Sequence, residues 1–159
     1  MGRDDVVRDI SAMVMRWQDV TQAYDEAVRA RHQLSLTEGM CLSELFHGPR
    51  TAGALAAASG LTPAAITALI DRLEARGFVT RTRSAEDRRK VMVKMGPKAQ
   101  EMTEQHYMPI GGEGLRALEA YTDTELKVIR RFLIESVELQ EKHLAALQAE
   151  EEAQATAGR

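Results

Sequence analysis

The chain is poor in cysteine, proline and aromatic residues: it has one Cys, four Pro, and Phe, Trp and Tyr at 4% of 159 residues. A single cysteine, Cys41, excludes an internal disulfide framework and suits a reducing compartment. No apolar run approaches the roughly 18 residues that a bilayer-spanning helix requires. The opening MGRDDVVRDI carries charge where a secretory signal needs an apolar stretch. No internal repeat is visible. These absences lead to the expectation of a cytoplasmic protein with no membrane partner.

Apolar residues make up 44% of the chain, and Ala, Leu, Glu, Arg and Met dominate, a composition that favours helix over sheet. The formal net charge of −3 hides an uneven distribution. From Arg72 to Lys94 eight basic residues face three acidic ones, a net +5, whereas Glu119 to Glu152 carries a net −5. Within the basic segment, the ten residues RTRSAEDRRK (81–90) hold five Arg or Lys. One end of the chain suits a polyanion and the other repels it.

Helical periodicity opens the chain. Val7, Ile10, Val14, Trp17, Thr21, Tyr24 and Val28 recur every three or four positions, widened by Val6, Met13 and Val20. The stripe is nearly heptad-like, which predicts packing against a partner helix, including one from a second copy of the chain. Ser35-Leu36-Thr37-Glu38 has capping-box spacing, and the short helix behind it offers Leu36, Met40, Leu42 and Leu45 for burial. Thr51 caps a small Ala-rich helix containing Leu55. Ser59-Gly60 then turns the chain, and Thr62-Pro63 starts another helix with its hydroxyl at N-cap and its proline at N1. Ile66, Leu69, Ile70 and Leu73 form the buried face of that helix, and Gly77 ends it. Two helices joined by a short Gly-containing turn make a helix-turn-helix pattern.

After Gly77 the period changes to alternation. Residues 78–83 and 90–95 read as two strands, with 84–89 as the loop between them. Gly96-Pro97 opens a helix expected to break or kink near Pro109 and Gly111-Gly112. Thr122 begins a last long helix, striped by Leu126, Ile129, Leu133, Val137, Gln140, Leu144 and Leu147. A frayed tail is expected from Glu150 onward. The fold class is therefore mainly α with a small β-hairpin: a winged helix-turn-helix with long N- and C-terminal dimerisation helices. The expected divisions are an N-terminal dimerisation helix (1–34), the winged region (35–96), C-terminal dimerisation helices (97–149) and a flexible tail (150–159).

A helix can enter the major groove of double-stranded DNA if one face anchors it and the other shows small or hydrogen-bonding groups. The helix from Pro63 has that division, with Ala64, Ala65, Thr67, Ala68, Asp71 and Arg72 pointing outward. The candidate DNA contacts are Thr51, Thr62, Ala64, Ala65, Thr67, Ala68, Arg72, Arg83, Arg88, Arg89 and Lys90. Arginines at a narrow hairpin tip suit the minor groove, where negative potential concentrates. Asp87, two residues before Arg89, can brace that guanidinium by a bidentate contact.

The run LTPAAITALIDRLEARGFVTRTRSAEDRRKVMVKM closely resembles the winged helix-turn-helix of MarR-type transcriptional regulators. The resemblance rests on Leu-Glu-x-Arg-Gly-Phe-Val-x-Arg from Leu73 to Arg81 and on Asp87-Arg88-Arg89, and it covers about residues 35 to 100. It implies a homodimer that binds a pseudo-palindromic operator, usually as a repressor released by a small-molecule effector. It also implies that Arg89 enters the minor groove while the helix from Pro63 reads the major groove. After the wing the sequence departs from the family: where a Leu-Thr-x-x-Gly turn is usual, it has Met95-Gly96-Pro97-Lys98-Ala99.

The effector pocket has thinner support. Trp17, Tyr24 and Met40 are candidates to line it, with ordinary core packing as the competing explanation. Cys41 reads as a buried, inert thiol. His32, His47, His106 and His143 lack ligand-like spacing, so no metal is expected, nor any cofactor. No nucleophile with a plausible base, paired carboxylates or phosphate loop supports an enzyme. A winged-helix protein–protein adaptor without DNA binding is the alternative. Such an adaptor has no use for Arg88 and Arg89 beside Asp87.

Overall fold

The computed structural model describes residues 2–83 and 90–157. Elements follow in the order α1 (Arg3–Arg31), α2 (Leu36–Phe46), β1 (Arg50–Thr51), α3 (Ala52–Ser59), α4 (Pro63–Ala75), β2 (Val79–Arg83) and β3 (Val91–Met95). Next come α5 (Pro97–Met102), a π-helical turn (Thr103–Tyr107), α6 (Met108–Leu118) and α7 (Asp123–Ala157). The chain divides into two compact units, Met1–Pro109 and Ile110–Arg159.

In the first unit the core is made where the helix-turn-helix meets the sheet. Leu55, Ile66, Ile70, Leu73, Val79 and Val93 are almost wholly buried, joined by Leu42, Leu45, Leu69, Phe78, Ala99 and Met102. Each helix of this core starts as its sequence dictates. The hydroxyls of Ser35, Thr51 and Thr62 accept the N3 backbone N–H at 3.2, 3.1 and 3.3 Å, and Glu38 closes the box by accepting the Ser35 N–H at 2.8 Å. Gly77 ends α4 at φ +80°, with its N–H on the Glu74 carbonyl and the Phe78 N–H on the Leu73 carbonyl, both at 2.9 Å. That pair of bonds is a Schellman cap, and the left-handed φ is what favours glycine there.

The sheet has three strands rather than the two of a simple hairpin. β3 lies in the middle, antiparallel to both neighbours, in the order β1-β3-β2. Arg50 and Thr51 pair with Val93 and Met92, while Val79, Arg81 and Arg83 pair with Met95, Val93 and Val91. β1 is only two residues long, too short to show alternation. Leu36 and Met40, expected in the core, are exposed on α2, because Cys41, Leu42 and Leu45 occupy its inward side.

Two expectations for the C-terminal helices are corrected. Gly111 and Gly112 do not break the chain: both lie inside α6. The irregularity falls earlier, in the π-helical turn just before Pro109, where the Met108 N–H reaches the Thr103 carbonyl. Proline cannot donate the i→i−4 bond, and widening the preceding turn accommodates that loss. The tail expected from Glu150 is helical as far as Ala157. Glu, Ala and Gln are strong helix formers, and no Gly or Pro intervenes before Gly158.

Gly96 answers the family departure noted above. It offers no side chain to cap α5, so backbone takes over: its N–H donates to the Phe78 carbonyl at 2.7 Å, and the Lys98 N–H donates to the Gly77 carbonyl at 3.1 Å. A Cβ at Gly96 would lie 2.6 Å from the Gly77 oxygen and 2.9 Å from backbone atoms of Phe78 and Val79. Only glycine lets the two segments approach this closely.

Candidate nucleic-acid interface

Phase is what makes α4 a candidate reader. Ile66, Leu69, Ile70 and Leu73 are buried at helical spacing, which turns Thr62, Ala64, Ala65, Thr67, Ala68, Asp71 and Arg72 to solvent. All the α4 residues singled out from the sequence therefore share one exposed face. Thr67 spends its proton on the Pro63 carbonyl at 2.8 Å, leaving its oxygen as an acceptor. Thr51 and Thr62 use their oxygens as caps and keep O–H groups to donate, each at a helix N-terminus suited to a phosphate. Arg83 ends β2 and Lys90 precedes β3, both exposed. Asp87, Arg88 and Arg89 lie outside the described residues.

Sequence reasoning missed Arg81. Its side chain leaves β2 and pairs with two carboxylates of α4: Nη2 lies 2.5 Å from Asp71 Oδ1, and Nη1 bonds Glu74. Its backbone N–H also donates to Glu74 Oε1 at 3.0 Å. The Asp71 hydrogen bond, followed by Glu74, holds the guanidinium above its ordinary pKa. Leu73-Glu74 and Arg81 belong to the motif that carried the resemblance, yet spacing alone does not say that they meet.

Arg76, at the C-terminus of α4, holds the module to the end of α1. Nη2 donates to the carbonyls of His32 and Gln33 at 2.8 and 2.9 Å, and Nη1 to Glu38 at 3.4 Å. The guanidinium also lies 5.0 Å from the Phe78 ring centroid. Glu38 is only 6% exposed, so its charge depends on Arg76 and the capping box.

A cavity of about 880 Å³ opens beside this junction, lined among others by Arg29, Met40, Leu42, Phe46, Met95 and Tyr107. Of the three pocket candidates, Met40 lines it. Trp17 is 62% exposed and does not line it, and Tyr24 packs nearby, its hydroxyl donating to the His106 carbonyl at 2.8 Å. Tyr107 stacks edge-on against Tyr24 and donates to Asp25 at 3.1 Å. Burial, then Asp25, pushes its phenol up to about 12. Cys41 is buried, and burial, with Glu38 and Glu44 nearby, pushes its thiol up to about 11.

Residues 34–91 match the MarR family model. Over this part the chain is similar to the MarR family. The uncharacterized HTH-type transcriptional regulator YcgE of Bacillus subtilis is 32% identical over 100 residues, which is 63% of this chain. The match spans 65% of that relative's length. Among solved structures, a transcriptional regulator from Thermotoga maritima aligns with 87% of this chain and 98% of its own at a TM-score of 0.57 and 19% identity. A MarR family protein from Bacillus stearothermophilus aligns with 84% of this chain and 94% of its own at a TM-score of 0.55 and 20% identity. These likenesses establish the winged-helix fold. No single described helix is long and apolar enough to cross a membrane.

Proposed function

We propose that this chain is a cytoplasmic, homodimeric, DNA-binding transcriptional regulator that acts as a repressor, without catalysis. The supporting observation is the exposed face of α4, where Ala64, Ala65, Thr67, Ala68 and Arg72 stand clear of the core. Small side chains let the helix sink into the major groove, alanine methyls lie against thymine methyls, and Arg72 reaches guanine or phosphate. Thr51, Thr62, Arg83 and Lys90 hold the backbone. The wing tip supplies Arg88 and Arg89, with Arg89 in the minor groove braced by Asp87.

Dimerisation is supported separately by each unit. On α1, Val6, Ile10, Met13, Trp17 and Val20 are exposed; on α7, Val128, Val137, Leu144 and Leu147 are. Apolar stripes of this length ask for a partner, and a second copy supplies one by two-fold symmetry. The dimer then presents two α4 helices to half-sites one helical turn apart or a multiple of it. A small apolar effector entering the cavity beside Met40 releases the operator by shifting the junction that Arg76 holds.

Selection of a binding duplex from a random-sequence library, followed by gel shift at two salt concentrations, tests this reading. A pseudo-palindrome should emerge, with affinity falling on the order of a hundredfold or more from about 50 to 200 mM salt. Failure to select any duplex, or a monomer by light scattering, would overturn it.

A further inference from the structure

We propose that Arg81 is a positioning residue for DNA binding, acting by masking Asp71 and Glu74 on α4 and by locking strand β2 to that helix. This rests on the DNA-binding reading above and goes beyond it, because Arg81 is given no contact with the nucleic acid.

The outward face of α4 carries an anomaly. Asp71 lies one turn beyond Thr67 and Ala68 on the surface that enters the groove, and its side chain is 60% exposed. A bare carboxylate there meets phosphates as a like charge, which weakens binding. Glu74 follows at the next helical step, half-buried. Both carboxylates point to the same guanidinium. Arg81 gives one nitrogen to each, at 2.5 Å for Asp71, and adds its backbone N–H to Glu74 at 3.0 Å. With both terminal nitrogens committed and only 31% of its side chain exposed, Arg81 is poorly placed to serve a phosphate as well.

The pairing also sets geometry. Arg81 stands opposite Val93 in the middle of the β2–β3 ladder, and Val93 is fully buried in the core. Arg81 and Val93 face the same side of the sheet, so apolar packing and charge together tie the two strands to the helix. A planar guanidinium with donors in a fixed fork holds two carboxylates in one arrangement, which a lysine cannot reproduce. The angle between reading helix and wing strand follows from that arrangement.

The test compares wild type, Arg81→Met and the triple variant Arg81→Met/Asp71→Asn/Glu74→Gln on the duplex selected by the wild-type protein. Methionine keeps the aliphatic stem, and circular dichroism melts establish that each variant is folded at the assay temperature. Arg81→Met should bind about tenfold more weakly, and the triple variant should recover to within about threefold of wild type, because the charges that needed masking are gone and only the lost tie between β2 and α4 remains. A direct phosphate contact makes the opposite prediction: the triple variant stays as weak as Arg81→Met, and the salt slope drops by about 0.9. That result, or an Arg81→Met affinity equal to wild type, overturns the proposal. Should Arg81→Met fail to fold, Arg81→Lys replaces it; undiminished binding by the lysine variant also overturns the proposal. If wild type selects no duplex, the DNA-binding reading fails first, visibly and without any variant.

Discussion

Nε2 of His32 lies 3.1 Å from Nε2 of His106, with the rings 5.2 Å apart and the His32 ring edge-on to Phe78. One ring must offer its N–H and the other its lone pair, so the contact exists only while at least one imidazole is neutral. Burial lowers the pKa of His32; His106 and Arg31 lower it further, while Glu101 opposes them. A histidine whose folded pKa is depressed contributes stability that is fully present above about pH 6.5 and is lost as pH falls toward the folded pKa. The melting temperature should therefore drop as pH falls below about 6.5, and His32→Gln should flatten part of that slope. An unchanged slope in His32→Gln would show that the pair does not titrate with folding.

Arg76→Ala removes the only cation that Glu38 meets among the described residues, and two carbonyl contacts with it. Hydrogen bonds to charged groups are worth about 1.5–3 kcal/mol each, and Glu38 is left buried with its charge. Urea unfolding should show a loss of at least about 2 kcal/mol. Arg76→Ala/Glu38→Gln should recover part of it, and equal losses in the single and double variants would contradict the pairing.

Gly96→Ala places a methyl against backbone that cannot step aside, since those same atoms cap α5 and continue into β2. The expected loss is about 1–3 kcal/mol in urea unfolding. A variant as stable as wild type would mean that the two segments are free to separate.

A buried thiol with a pKa near 11 is almost entirely protonated at neutral pH. Cys41 should resist iodoacetamide in the native protein at pH 8 and react readily in denaturant, and mild peroxide should leave DNA affinity unchanged. Rapid native alkylation would contradict its burial.

The parts legible in the sequence are those that local chemistry fixes. Thr62-Pro63 and Gly77 pin both ends of α4, which sets the helix phase and so which residues face outward. The same holds for the Ser35–Glu38 box. The parts that were not legible depend on contacts between distant segments. β1 exists only because Arg50 and Thr51 find β3, and Arg81 meets Asp71 and Glu74 only once the strand folds back on α4. Met40 and Trp17 look alike as apolar positions on helices. Only tertiary packing decides that one lines a cavity and the other stands in solvent.

The outward face of α4 is the central claim, and Ala68 lies at its middle. The most direct measurement is the equilibrium affinity of wild type and Ala68→Glu for the same selected duplex, with circular dichroism melts run in parallel. The substitution is exposed and helix-compatible, so stability should change by less than about 0.5 kcal/mol. A glutamate seated in the groove should meanwhile abolish specific binding. An Ala68→Glu protein that binds as tightly as wild type would show that this face does not touch DNA.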